Sequence, residues 1–199
     1  MKSKVNTANK RLIWLGGLCG VVQPVLTLVM VFAATVISPW FRWDTNALSE
    51  LGVGEVSLLF DSSVLLGGLL GFFFALGLRE YLVGDRLTKI GSVLIMLSSV
   101  CLALVGIFTI TYHAAHAIVS LGFFILAPIG FILIGFGTKG NVIRKLSLAT
   151  GIAALISILV LPIIILVLPF KVGFAVPEMT EALIIAVWMI FMGTKLLEH

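Results

Sequence analysis

The amino-acid sequence predicts an all-α integral membrane protein with six transmembrane helices. Three observations lead there. Of 199 residues, 60% are hydrophobic, close to the roughly 120 that six spans of about 20 require. Only 11% are charged, against about 25% in an ordinary soluble domain. The apolar residues fall into six runs separated by charges and turn residues. One soluble core of this length has no room for so much apolar surface. These numbers argue against a soluble enzyme, a disordered chain and a nucleic-acid binder.

The first run, Leu12 to Ser38, follows a basic head holding Lys2, Lys4, Lys10 and Arg11. At 27 residues it exceeds the apolar region of a signal peptide, about 7–15 residues, and reads as a span. The next runs are Leu58 to Leu78, Ile90 to Ile110 and about His116 to Gly137. Leu146 to Leu168 is the fifth. The sixth, Glu178 to Thr194, is the shortest, so tilt or snorkelling is expected there. Pro24, Pro128 and Pro162 fall inside runs, which neighbouring helices tolerate in a membrane. Residues 1–196 read as one domain, and Leu197-Glu198-His199 as the start of a purification-tag scar.

Eleven of the thirteen lysines and arginines fall at one end of this frame. Only Arg42 and Lys171 fall at the other. The positive-inside bias therefore predicts a cell-membrane protein with both termini cytoplasmic. Trp14 and Tyr81 fit the inner boundary, and Trp40, Trp43 and Tyr112 the outer one. The longer outer loop, Pro39 to Ser57, joins helices one and two and is the only connection with room for its own structure. Gly16/Gly20 and Gly67/Gly71 form GxxxG pairs suited to close helix contact. Cys19 and Cys101 lie in apolar runs and read as buried free thiols.

The span interiors are expected to lack ionisable residues, which argues against a proton-coupled transporter. Gln23 is their main polar exception, read as a helix-to-helix hydrogen bond. Polar groups gather at the outer edge. The loop supplies Arg42, Asp44, Asn46, Ser49 and Glu50; helix two opens with Asp61; helix six opens with Glu178 and Glu181. Arg42 with Asp44 or Glu50 reads as a loop salt bridge. Ser57 or Asp61 reads as a cap for helix two. His113 and His116, at i and i+3, share a face if helix four begins there. Such a pair with Asp61 suits a general base, a phosphate contact or a metal. No particular metal or cofactor follows from it.

Two segments carry a resemblance. Phe41-Arg42-Trp43-Asp44-Thr45-Asn46-Ala47-Leu48-Ser49-Glu50-Leu51-Gly52-Val53 is followed by Leu59-Phe60-Asp61 and Leu66-Gly67-Gly68. Further on come Gly106-Ile107-Phe108, His113, Phe123-Phe124 and Pro128. Together they resemble the prokaryotic membrane family called domain of unknown function 998, over nearly the whole chain. The family pattern has Asn after Phe60; Asp61 here trades an amide donor for a charge. The resemblance implies six helices and no particular activity. The layout is also similar to a eukaryotic six-helix family that includes proteins of GPI-anchor remodelling, a likeness of topology alone.

The leading expectation is a shallow outer site for an amphiphile, with membrane lipid as partner. Arg42, Asp44, Ser49 and Glu50 would bind the headgroup, and Asp61, His113 and His116 would do any chemistry. Arg42, Asp61 and His113 are expected in one polar cluster. The alternatives are a non-catalytic scaffold or partner-binding protein and, more weakly, a small-solute transporter.

Overall fold

The computed structural model describes residues 7–82, 85–167 and 173–199. Six helices make up the bundle: α1 Thr7–Val36, α2 Ser57–Tyr81, α3 Arg86–Val105, α4 His113–Gly137, α5 Asn141–Val167 and α6 Ala175–Leu197. Two short 3-10 segments, Leu48–Gly52 and Ile110–Tyr112, precede α2 and α4. All six helices are long and apolar enough to cross a membrane. Among the described residues there is no strand. The outer wall is apolar: Leu58 is 81% exposed and Ile118 71%, the surface that hydrocarbon solvates and water does not.

Helix ends differ from the sequence expectation in ways local chemistry explains. α3 starts at Arg86 because Asp85 caps it, accepting the Arg86 N–H at 2.6 Å. α6 is 23 residues long, not the shortest span. Pro177 sits in its first turn, where a missing N–H costs nothing, so the basis for expecting extra tilt is gone. α2 takes no cap from Ser57 or Asp61. Its N-cap is Val56, without a side-chain bond, and Asp61 lies in the second turn.

Each helix packs on the next, and α6 closes onto α1 to complete a ring. The start of α1 and the end of α6 share one end of the bundle, where Asn9 Nδ2 donates to Glu80 at 2.9 Å and Tyr81 meets the His199 ring. At that end glycines let backbones touch. A Cβ on Gly16 would lie 2.7 Å from the Gly77 Cα, and one on Gly17 2.9 Å from the Gly193 carbonyl. Above this seam Trp188 fills the centre. It stacks on Phe131 with centroids 4.0 Å apart, meets Phe74 edge-on, and donates its indole N–H to Ser147 Oγ at 2.8 Å. The loop end is built differently, and the polar residues of the sequence gather there.

Candidate functional site

The loop between α1 and α2 folds around its own acid and amide. Glu50 accepts the Ala47 N–H at 2.9 Å and the Asn46 side-chain amide. Asn46 in turn accepts the Arg42 N–H. Leu48 and Leu51 are thereby turned inward and buried. Two bonds fasten the loop to α6: Glu178 accepts the Leu48 N–H at 2.6 Å, and Ala175 N–H donates to the Asn46 carbonyl at 3.0 Å. The second satisfies a donor that a helix N-terminus leaves free.

Arg42 pairs with Asp44, Nε and Nη2 reaching the two carboxylate oxygens at 3.1 and 2.9 Å. The pair is bidentate and solvent-facing, with side chains 68% and 50% exposed. The hydrogen bond from Arg42 holds the Asp44 carboxyl below its usual range, and Asp44 raises Arg42. Glu50 is not in this ion pair. Asp61 rests its carboxyl against Gly52, where a Cβ would come within 2.7 Å of Oδ1, and no hydrogen bond reaches that oxygen.

The two histidines part company. His113 is exposed, begins α4, and carries a positive φ of 22°. His116 is buried. Its Nδ1 lies 2.7 Å from the Phe108 carbonyl, which accepts only, so Nδ1 carries the proton. Nε2 then accepts the Ser120 hydroxyl at 3.3 Å. Ser49 is buried beneath the loop. Arg42 is paired with Asp44, and no hydrogen bond among the described residues joins Arg42, Asp61 and His113. Nor do three His, Cys, Asp or Glu side chains converge as a metal site needs, among the described residues.

Below the loop lies a cavity of about 110 Å³. It runs from Leu48, Ser49 and Glu178 down to Phe131 and Met189, and its walls come from α1, α2, α3, α4 and α6. Most of the lining is aliphatic or aromatic. Gln23, Thr27, Ser98, Ser99, Ser120 and Glu178 supply the polar points on the helices. Gln23 does not make the expected helix-to-helix bond: its amide donates to Thr27 one turn on in α1, and its place in a cavity depends on which helices meet.

One expectation is corrected outright. Glu181 lies inside α6, about 9 Å from its start at 1.5 Å per residue. It is 0% exposed, and neither carboxylate oxygen has a partner. The interiors are therefore not free of ionisable groups. The available signal was the spacing: Glu181 repeats with Ile185, Trp188 and Met192 on the buried face of α6.

The fold and its apolar exterior define a polytopic helical membrane protein with an internal, mostly apolar cavity. The chain belongs to the family described as protein of unknown function (DUF998), whose model matches residues 21–195. That bears out the family resemblance read from the loop motif. No curated protein and no solved structure matches it.

Proposed function

We propose that this protein binds a small, mostly apolar molecule of the bilayer inside its helix bundle. The cavity carries this reading. It is concave and apolar with a few convergent polar groups, the general form of a small-molecule site. The Lys/Arg distribution supports a cell-membrane orientation with both termini cytoplasmic and the loop outside. Ala182 lines the cavity, and Ala182→Phe would fill it. Organic extracts of protein held in lipid nanodiscs should contain a retained molecule by mass spectrometry in wild type and lack it in the variant, at similar Tm. Equal retention by both, or none by wild type, overturns the reading.

A headgroup grip by the outer polar residues has less support. Arg42 already holds Asp44, and Glu50 is engaged by Ala47 and Asn46. Those internal bonds favour a loop that locks helices, as the scaffold alternative requires.

One observation favours a second reading, hydrolysis or transfer at an ester of such a molecule. Ser120 lines the cavity beside His116, which the Phe108 carbonyl orients. This is nucleophile, base and orienting group in series. Ser120 Oγ would attack the ester carbonyl as His116 Nε2 takes its proton. The leaving alcohol would take that proton back, and water would complete the cycle. An alkyl fluorophosphonate should then modify Ser120 with loss of fluoride, and His116→Gln should abolish the adduct. An unmodified Ser120 at saturating probe excludes this reading and leaves the cavity reading untouched.

A further inference from the structure

Four hydroxyls line the cavity from the spanning helices: Thr27, Ser98, Ser99 and Ser120. Each hydroxyl that the spanning helices contribute has its single proton committed. Thr27 Oγ1 donates to the Ser63 carbonyl at 3.4 Å. Ser98 donates to the Phe123 carbonyl at 2.9 Å and Ser99 to the Ile95 carbonyl at 2.8 Å. Ser120 faces the acceptor nitrogen of His116. From these four, what remains toward the cavity is oxygen lone pairs.

Gln23 fixes the point further. It is 6% exposed and lines the cavity near Gly67 and Gly71 of α2. Its Nε2 donates to Thr27 Oγ1 at 3.3 Å. Thr27 gives its proton to Ser63, so it has only an acceptor to offer, and the Gln23 atom facing it must be the amide nitrogen. The relay therefore sets the amide's orientation and leaves Oε1 as the free group. No protein donor reaches that oxygen. A buried acceptor without a donor costs about 1–3 kcal/mol. Gly67 leaves room at this level: a Cβ there would lie 2.5 Å from Thr27 Oγ1 and 3.1 Å from Gln23 Nε2.

We infer that the occupant is an apolar alcohol whose hydroxyl donates to Gln23 Oε1, well inside the bundle. This rests on the cavity reading above and adds the ligand's chemical class. An unpartnered acceptor at this point selects a hydroxyl over an ether, an ester or a plain hydrocarbon. A carboxylate ligand would bring further lone pairs and be rejected. At about 110 Å³ the cavity is smaller than the engineered one of about 150 Å³ that holds benzene, so its size agrees with a short chain end.

The test uses three matched photoprobes: a short alkyl diazirine alcohol, its methyl ether and the parent hydrocarbon. Each is applied to the full chain in nanodiscs at equal concentration in the lipid. Labelled peptides are mapped by mass spectrometry. The alcohol should label cavity residues of α1, α4 and α6 about tenfold more efficiently than the ether or hydrocarbon, the ratio one good hydrogen bond supports. Gln23→Met keeps the volume and removes the acceptor. It should bring the alcohol down to the level of the other two while hydrocarbon labelling stays. Equal labelling by all three probes in wild type, as when a water satisfies Gln23, overturns the inference and leaves the cavity reading standing. Labelling of the cavity by none of them overturns both. Because the wild-type comparison decides alone, a Gln23→Met that fails to fold does not rescue the idea.

Discussion

The two ends of the bundle solve the packing problem in opposite ways. At the terminal end Gly16 meets Gly77, and Gly17 and Gly20 meet Gly193, so α1, α2 and α6 touch through their backbones. At the loop end the same helices stand apart. Gln23 and Thr27 fill part of the gap, Leu48 and Leu51 cover it, and a cavity is left. In lipid there is little hydrophobic gain from bringing helices together, so close van der Waals contact must hold the bundle. The glycine seam supplies that contact at one end. The other end can then keep a cavity and unpartnered polar atoms at Gln23 and Glu181.

The comparison breaks most severely at the seam. Gly16→Leu puts a branched side chain where a single Cβ already meets Gly77 backbone at 2.7 Å. Backbone cannot yield as a side chain does, so the loss should exceed about 3 kcal/mol, the upper range for overpacking. Size-exclusion chromatography should show aggregate in place of a monodisperse peak. Trp188→Ala comes next. It removes the ring stacked on Phe131 and leaves Ser147 without its donor. The loss should be about 3 kcal/mol, read as a lowered Tm in detergent.

Changes at the loop end should be smaller and more local. Glu178→Ala frees the Leu48 N–H and should cost about 1–3 kcal/mol, the range for a buried donor left without a partner. Hydrogen exchange should quicken over residues 47–52, while the seam near Gly77 stays protected. Glu178→Gln keeps an acceptor and should restore most of that protection. Equal quickening at both ends would show that the ends are one cooperative unit.

The smallest effect is at Arg42. The pair with Asp44 is exposed and screened, so Arg42→Ala should leave Tm unchanged within error at neutral pH. Its pH sign is still defined. The Asp44 pKa is lowered from its usual 3.8, so the pair's contribution is complete above that value. It is lost as pH falls through the lowered one. NMR titration should find the Asp44 carboxyl titrating lower in wild type than in Arg42→Ala. A match between the two would remove the ion pair.

The sequence by itself determined the class, the number of spans and the family. Those depend on composition and on runs of apolar residues, which need no partner to be read. It also marked the loop motif from Phe41 to Val53 and offered Arg42 a partner in Asp44 or Glu50, because both are local; the structure chose Asp44. Tertiary structure decided the rest. Glu50 and Glu178 became loop fastenings, and Asp61 came to rest on Gly52, through contacts between distant segments. His113 and His116 are neighbours in sequence, yet one faces out and the other binds the Phe108 carbonyl, because the positive φ of His113 takes its backbone out of the helical conformation that would set both on one face. Gln23 gained its meaning only when α1 met α2 across Gly67, and Glu181 only when the buried face of α6 was known. In a chain so apolar, periodicity barely separates a lipid-facing side from a protein-facing one. Which polar atoms are left without partners is therefore settled by helix against helix.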